Sequence, residues 1–257
     1  MAKRYSKSKI AYKYFKYFLS AKSKHAVHSP FTYNFVDNVV TSAFGFRSRK
    51  IERERKRLLK SSEVIDFKDF GKQGNVFRRE ISSIAKNALK SKKYAQLLGQ
   101  TVKFYKPKKV LELWTSLGLT TACLAQKNTE VITIEGDPTV AKKAKEVWEK
   151  LKLNNITCIV GDFDSALDSV KEQVFDIIYI DGNHHYTPTM RYFKILQKNA
   201  HPSTLFIFDD IHYSKEMERV WTELKNMHKV RVSIDLFFLG FISLDESLSK
   251  QDYVIRY

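Results

Sequence analysis

Acidic side chains lie at the ends of five consecutive apolar runs between residues 110 and 210. These residues, with the two histidines that follow one of the runs, are Glu112, Glu135, Asp162, Asp181, His184, His185, Asp209 and Asp210. In an open α/β sheet, ligands bind beyond the carboxyl ends of the strands, so the carboxylates are expected at one rim. Like charges repel and are retained there mainly when a cation or a hydrogen-bonding ligand occupies the site. The pattern indicates a positively charged ligand that bears a nucleoside, with room for a metal ion.

Three of these strand ends suit particular parts of such a ligand. The backbone amides of the turn WTSLG (114–118) and of the helix that follows can receive an anionic group. Glu135 can accept both hydroxyls of a ribose, and Asp162 can accept from an exocyclic amine. Taken singly, each acid is more simply a helix cap and each glycine a turn residue. The coincidence of five such ends favours a binding site.

Alternating strands and helices must position these residues. Apolar runs typical of strands occupy 110–114, 130–135, 156–160, 175–181 and 204–210, and helical stretches such as 138–151 and 187–200 lie between them. This alternation predicts parallel strands joined by right-handed crossovers, hence a doubly wound sheet. The last two runs, 230–242 and 252–257, have no helix between them and are predicted to pair antiparallel.

Five motifs in this order resemble the class I S-adenosylmethionine-dependent methyltransferases, in particular bacterial O-methyltransferase-like members. They are VLELWTSLGLTTACLA (110–125), VITIEGDP (131–138), GDF (161–163), IDGNHHY (180–186) and FIFDDIHYS (206–214). The resemblance covers about residues 108–257. It implies an α/β fold with a Rossmann-like, doubly wound, seven-stranded sheet whose last strand is antiparallel. We therefore predict a helical, basic N-terminal region at 1–100 and a methyltransferase domain at 101–257.

The resemblance also implies roles for individual residues. The cofactor-binding set for S-adenosylmethionine would be Glu112, Trp114, Thr115, Ser116, Gly118, Glu135, Gly136, Asp162 and Asp181. Metal-using relatives hold Mg²⁺ at the ends of the fourth and fifth strands, which here carry Asp181, Asp209 and Asp210. Magnesium prefers oxygen ligands, which this set supplies. The alternative is that Asp209 and Asp210 only cap the next helix.

Two residues depart from the family pattern. Trp114 stands where the family has a glycine, and an indole there is expected to crowd the methionine end of the cofactor. Asn183 replaces a carboxylate that serves as a base in some metal-dependent relatives. The catalytic residues are therefore predicted to be Asp181 with His184 or His185, because histidine titrates near neutrality and can remove a hydroxyl proton.

The resulting prediction is methyl transfer to an oxygen of a small hydroxylated or lipid-like acceptor, with or without a divalent ion. The competing interpretation is a non-catalytic binding module that has lost turnover through Trp114. A nicotinamide oxidoreductase does not fit, because the first turn lacks GxGxxG. The chain also lacks adjacent prolines, so the (Asp/Asn)-Pro-Pro segment of DNA amino-methyltransferases is absent. The sequence indicates neither the acceptor nor the oligomeric state.

Positive charge is concentrated in the first quarter of the chain. Residues 1–60 hold 16 Lys/Arg and 3 Asp/Glu, a net charge of +13 out of +17 for the whole chain. We favour the interpretation that the helices of this basic N-terminal region cover the substrate side of the methyltransferase domain. Alternatively, a helix at 5–19 would lie on an anionic membrane, or the basic residues would contact nucleic acid, which is disfavoured.

Local sequence patterns predict further elements in the N-terminal region. A second helix is predicted from Ser29-Pro30 to about Gly45, a solvated helix at 47–60, a loop at 62–75 and a helix at 76–98.

The two cysteines, Cys123 and Cys158, have no metal-type spacing, which is typical of a reduced compartment. With no apolar run of membrane-spanning length and no signal-peptide pattern, we expect a cytoplasmic protein, peripheral at the membrane if the N-terminal helix binds lipid.

Overall fold

A computed structural model describes residues 4–69, 75–182 and 184–257. Its helices are α1 (Lys7–Ser20), α2 (Pro30–Phe35), α3 (Arg49–Leu59), α4 (Ile81–Ala88), α5 (Lys92–Tyr105), α6 (Leu119–Leu124), α7 (Pro138–Leu151), α8 (Phe163–Asp168), α9 (Tyr186–Leu196) and α10 (Lys215–Asn226). Its strands are β1 (Val64–Asp69), β2 (Asn75–Glu80), β3 (Lys109–Leu113), β4 (Glu130–Glu135), β5 (Ile156–Val160), β6 (Phe175–Ile180), β7 (Ala200–Asp209), β8 (Val232–Asp235), β9 (Leu239–Ser243) and β10 (Gln251–Val254).

Eight of the described strands form a mostly parallel sheet in the order β10-β8-β9-β7-β6-β3-β4-β5. The predicted α/β, Rossmann-like fold preceded by helices is thereby confirmed. The sheet has eight strands instead of seven, because the 230–242 run reverses at Phe237 (φ 70°) and forms both β8 and β9. The antiparallel strand is β9, which runs against β7 and β8, whereas the last strand, β10, is parallel to β8.

The chain divides into two compact units. We call residues 1–41 with 173–257 the terminal unit, and residues 42–172 the middle unit. The predicted division into residues 1–100 and 101–257 stays a prediction. None of the described helices combines the length and the apolar character that a membrane-spanning segment needs.

In the middle unit, parallel β3, β4 and β5 lie side by side in that order. Nearly every residue of β3 and β4 is buried, as expected of parallel strands that are covered on both faces. The chain leaves β4 at Glu135 and enters α7, whose N-cap Asp137 accepts from the amides of Thr139 and Val140 at 2.8 and 2.9 Å. Pro138 at the first helical position favours the same start. This strand-to-helix turn fixes Glu135 at the carboxyl edge of the sheet.

Three N-terminal predictions need correction. The 47–60 segment is the helix α3, but it is not simply solvated, since Ile51, Glu54, Arg55 and Leu58 are buried. The loop predicted at 62–75 is wrong for residues 64–69, which form β1, and for residue 75, which begins β2. The two strands pair antiparallel, and residues 70–74 lie outside the described part of the chain. The single helix predicted for 76–98 is likewise wrong and is replaced by the end of β2, by α4 and by α5. The predicted 29–45 helix is present as α2 followed by short π and 3₁₀ turns.

In the terminal unit, β6 and β7 pair in parallel, with Ile180 opposite Phe208. Their cores are apolar and aromatic: Phe175, Tyr179, Phe206 and Phe208 are almost fully buried. Because the paired strands end together, the residue after Ile180 and the residue after Phe208 reach the same edge. This register places Asp181 beside Asp209.

Candidate functional site

The turn after β3 has a left-handed backbone at three positions. Trp114, Ser116 and Gly118 have φ values of 84°, 50° and 72°. The amides of Trp114 and Thr115 both donate to the carbonyl of Ile134, at 3.0 and 3.2 Å, which holds the turn against β4. Residues other than glycine adopt such φ values at an energetic cost, and this kind of strain is concentrated at functional sites. Trp114 thus has a backbone conformation that glycine adopts more readily than other residues.

Glu112 is completely buried beneath this turn. Its carboxylate accepts from the hydroxyls of Thr121 and Thr133 at 2.5 and 2.7 Å, and Thr115 shares a 2.7 Å hydrogen bond with Thr133. A buried carboxylate needs such donors, because burial without them is strongly unfavourable. Glu112 therefore ties β3 to β4 and α6, while its predicted contact with the cofactor stays a prediction.

Gly118 offers a stability test of the turn. A Cβ at this position would lie 2.5 Å from Nε1 of Trp148 and 2.9 Å from Cβ of Ala144, and the φ of 72° disfavours any L side chain. Gly118→Ala should therefore lower the free energy of unfolding by about 3 kcal/mol, measured by urea denaturation. The control is Gly45→Ala, where the added Cβ meets only Oε1 of Gln100, at 3.9 Å. Equal unfolding midpoints for the two variants would contradict the prediction.

A cleft of about 220 Å³ opens in the middle unit beside the carboxyl end of β4. Its walls include four of the predicted cofactor-binding residues, Trp114, Ser116, Glu135 and Gly136. The volume is below the roughly 300–1,000 Å³ of most small-molecule sites. A large indole in the wall takes up space that the family's glycine would leave open.

Glu135 lines this cleft together with two other charged residues, Arg79 and Asp137, and is itself only 6% exposed. Its Oε2 accepts from the amide of Ser116 at 2.8 Å and its Oε1 from the amide of Asp137 at 3.1 Å. Burial raises the pKa of Glu135 to about 7, although these amide hydrogen bonds act in the opposite direction. Each carboxylate oxygen can accept a further hydrogen bond, so Glu135 can receive two hydroxyls of a ligand.

The indole of Trp114 stacks on the ring of Phe163, with centroids 4.8 Å apart and planes 19° apart. Both rings line the cleft. Phe163 is not among the predicted site residues, although it directly follows Asp162, the acid at the end of the third predicted strand. An aromatic residue at that place in GDF is the signal that would have found it.

Asp162 is the N-cap of α8, and its exposed carboxylate accepts from the amide of Ser165 at 3.0 Å. Hydrogen bonds from Ser165 hold the pKa of Asp162 below its ordinary value. This is the capping role that was the simpler interpretation of a strand-end acid. Its predicted contact with adenine stays a prediction.

A second cluster lies in the terminal unit, at the ends of β6 and β7. Asp181, His184 and Asp209 each offer one ligand atom, and these three atoms lie within 4.8 Å of one another. The hydroxyl of Tyr179 donates to Oδ2 of Asp181 at 2.9 Å, and Asp209 is 1% exposed. We call these three residues the carboxylate–imidazole group.

This group differs from the predicted metal set in one member. Asp181 and Asp209 are in it, whereas Asp210 lies beside it, with Oδ2 4.0 Å from Nε2 of His184. The chain turns away after Asp209 because Asp210 is left-handed (φ 51°) and donates its amide to the carbonyl of Phe238. Asn183 lies outside the described residues. The role of each residue in metal binding stays a prediction.

The two predicted bases have different surroundings. The ring of His184 lies 5.0 Å from that of Tyr213, within the carboxylate–imidazole group. His185 is the N-cap of α9, and its Nδ1 lies 3.4 Å from the carboxylate of Glu216 in α10. Of the two, His184 has the position suited to chemistry with Asp181.

Parts of the chain match curated proteins, of which two are named methyltransferases. A protein-L-isoaspartate O-methyltransferase of Hahella chejuensis is 34% identical over 85 residues, which cover 33% of this chain and 39% of that protein. A tRNA (guanine-N(7)-)-methyltransferase of Mycoplasmopsis pulmonis is 38% identical over 95 residues, which cover 34% of this chain and 46% of that protein. The chain thus matches less than half the length of each of these two relatives.

Solved structures share the fold over most of the chain. An O-methyltransferase from Bacillus cereus in complex with SAH has a TM-score of 0.58 at 16% identity, covering 81% of this chain and 97% of the other. The O-methyltransferase TomG from Streptomyces achromogenes, in complex with SAM, has a TM-score of 0.57 at 14% identity, covering 80% and 95%. Residues 111–211 match the family model described as a methyltransferase domain. This match, the motifs and the strand order are consistent with a class I S-adenosylmethionine-dependent methyltransferase.

Proposed function

We propose that the chain binds S-adenosylmethionine in the middle-unit cleft and methylates an oxygen of a small hydroxylated or lipid-like acceptor. The observation that carries this proposal is the buried carboxylate of Glu135 in a cleft walled by Trp114 and Phe163. A nucleoside needs acceptors for its ribose hydroxyls and flat apolar surface for its base, and this cleft offers both. The neighbours solved with SAM or SAH bound support the same cofactor.

The residues of the cleft would share the work of binding. Glu135 would accept the ribose hydroxyls, and the amides of the 114–118 turn would receive the carboxylate of the methionine part. Trp114 and Phe163 would keep water from one wall. S-adenosylmethionine would supply a methyl group on its sulfonium, and the protein's main contribution to displacement is alignment.

The carboxylate–imidazole group suits a divalent ion that would activate the acceptor. Two carboxylates and one imidazole are a donor set that first-row transition ions accept, while Mg²⁺ prefers oxygen ligands alone. A bound ion would lower the pKa of an acceptor hydroxyl and orient it. Without an ion, His184 can take the proton as a general base, but its imidazole cannot bind a metal and accept that proton through the same nitrogen.

Oxygen as the acceptor atom is part of the proposal. The two curated relatives differ on this point, since the name of one specifies O-methylation and that of the other guanine N7. The solved neighbours favour oxygen, and so does the carboxylate–imidazole group, because it can deprotonate a hydroxyl.

Calorimetry with S-adenosylmethionine, on the natural chain and on Trp114→Gly, tests the proposal. We expect the natural chain to bind with a dissociation constant of about 1 μM to 1 mM, by analogy with the usual range of KM values for enzyme substrates. It should then release S-adenosylhomocysteine when Mn²⁺ and a panel of catechols and other hydroxylated acceptors are added. If only Trp114→Gly binds S-adenosylmethionine, the natural chain is not an active enzyme.

The pKa of Glu135 predicts how binding depends on pH. Below a pKa of about 7 the carboxyl is protonated and loses acceptor capacity, so affinity should fall as the pH is lowered. Between pH 8 and pH 6 the ionised fraction, and with it the affinity, drops about tenfold. Calorimetry at half-unit steps measures the profile. In Glu135→Gln the same profile should be flat, and a slope that persists there would assign the titration to another group.

A further inference from the structure

The helix α1 belongs to the terminal unit, and one of its faces packs against the rest of that unit. Tyr17 is buried against Phe237, its hydroxyl donates to the carbonyl of Ile255, and it accepts from the amide of Tyr257 at 3.1 Å. The hydroxyl of Tyr14 donates to the carbonyl of Tyr257 at 3.1 Å. These contacts determine which side of α1 is turned away from the unit.

The inner face also contains a partly buried ionic network. His212 lies between Asp235 and Glu218, at 2.8 and 3.2 Å, and Glu218 in turn accepts from Lys13 at 2.7 Å and Tyr5 at 2.8 Å. Burial alone would lower the pKa of His212, but the hydrogen bonds to Asp235 and Glu218 raise it to about 9. The imidazolium is therefore charged at neutral pH, and the network holds α1 in place.

The outer face of α1 is apolar and exposed. Tyr12, Phe15, Phe18 and Leu19 are 58%, 59%, 42% and 64% exposed. At 100° per residue they fall within one third of the helix circumference. On another face of α1, Ile10 and Tyr14 are partly buried and pack with Tyr17 and Phe237. Four large apolar side chains on one exposed helical face need a partner.

Lysines flank this face on both sides. Lys7 lies on one side and Lys9 and Lys16 on the other, all three exposed, and the guanidinium of Arg256 lies 4.6 Å from the ring centre of Phe18. Residues 1–36 contain eight Lys/Arg and no Asp or Glu. An apolar stripe between cationic flanks is the pattern of a helix that lies in the plane of an anionic lipid surface.

We propose that the outer face of α1, defined as Tyr12, Phe15, Phe18 and Leu19 with flanking Lys7, Lys9 and Lys16, docks on an anionic lipid surface. A second copy of this chain is a poor partner, because a symmetric contact through α1 would bring like charges together. The charge selects an anionic surface, and the half-exposed apolar side chains need a partner with an apolar interior. The proposal does not depend on methyl transfer.

Sedimentation with vesicles tests the docking. The whole protein should bind vesicles of 70% phosphatidylcholine and 30% phosphatidylserine, and should bind pure phosphatidylcholine far less. Phe15→Ser with Leu19→Ser should weaken this binding at least about tenfold, since both side chains lose apolar area that would enter the interface. The matched control replaces Val160 and Val174, exposed by 42% and 51% elsewhere on the surface, with serine. Equal loss in the control pair would overturn the proposal.

Reversing the charge of two flanking lysines is the second test of the docking. Lys9→Glu with Lys16→Glu should lower vesicle affinity about 25-fold or more, at roughly fivefold per basic residue near the surface. Lys127→Glu with Lys198→Glu changes the net charge equally at exposed positions elsewhere and should have little effect. Fluorescence anisotropy with a 20-nucleotide single-stranded RNA distinguishes the other anionic partner. RNA binding that requires Phe15 and Leu19, without vesicle binding, would overturn the proposal.

Discussion

Replacing Glu135 with alanine is expected to lower the affinity for S-adenosylmethionine about 100-fold. A hydrogen bond to a charged acceptor contributes about 1.5–3 kcal/mol, and Glu135 would accept two from the ribose. The side chain also accepts from the amides of Ser116 and Asp137, so its loss loosens the turn that forms the cleft. Titration calorimetry at pH 8, where the natural carboxylate is ionised, measures the effect directly.

Glu130→Ala is the matched control for this variant. Glu130 begins β4 and Glu135 ends it, so both substitutions remove a glutamate from the same strand. Glu130 is exposed and forms an ion pair with Lys109, far along the strand from the cleft. Its replacement should leave cofactor affinity unchanged. If both variants bind as the natural chain does, the cofactor does not use the carboxyl end of β4 and the proposed site is wrong.

The strand ends were predictable because parallel strands buried on both faces leave a strong local signal. β4 and β6 are mainly apolar, and an acidic residue stands at the end of β4 and directly after β6, so the positions of Glu135 and Asp181 could be predicted without knowing any tertiary contact. The order of the motifs then located the cleft. This part of the site depends on short-range patterns, which a sequence displays directly.

The charged helix α3 shows why other parts were not predictable. Its mixed charges predicted a solvated helix, yet Glu54 and Arg55 are buried. Glu54 accepts from Arg57 at 2.6 Å, and Arg55 pairs with Glu52 and donates to the carbonyl of Lys90. Charged groups become buried when partners are supplied, and the partner at Lys90 lies on a distant segment. Composition cannot reveal such a partner.

At Trp114, one feature is visible in the local sequence and another depends on a tertiary contact. The sequence shows an indole where the resemblance leads one to expect a glycine, and the structure gives this residue a left-handed backbone with a φ of 84°. The sequence does not show where the indole ring points, because that depends on the stacking with Phe163, which belongs to α8. The side chain at a strained position is thus decided by tertiary packing, even where the backbone is determined locally.

Replacing Asp181 with asparagine should weaken the binding of Mn²⁺ at least tenfold. Asp181 supplies one of the three ligand atoms of the carboxylate–imidazole group, and the substitution removes its negative charge with little change in shape. Electron paramagnetic resonance of free Mn²⁺, with the metal alone added to the whole protein, gives the affinity. Asp176→Asn is the control, since Asp176 lies in β6 itself and pairs with His201.

The same titration decides whether His184 belongs to the metal site. An imidazole ligand favours Zn²⁺ and other transition ions over Mg²⁺, whereas carboxylates alone suit Mg²⁺ and Mn²⁺. His184→Ala should therefore reduce Zn²⁺ affinity more than Mg²⁺ affinity, both measured by competition with Mn²⁺. Equal losses for both ions would mean that His184 only supports the carboxylates, leaving its imidazole available as the base. No Mn²⁺ binding by the natural chain would exclude the metal and leave direct proton removal by His184 as the way to activate the acceptor.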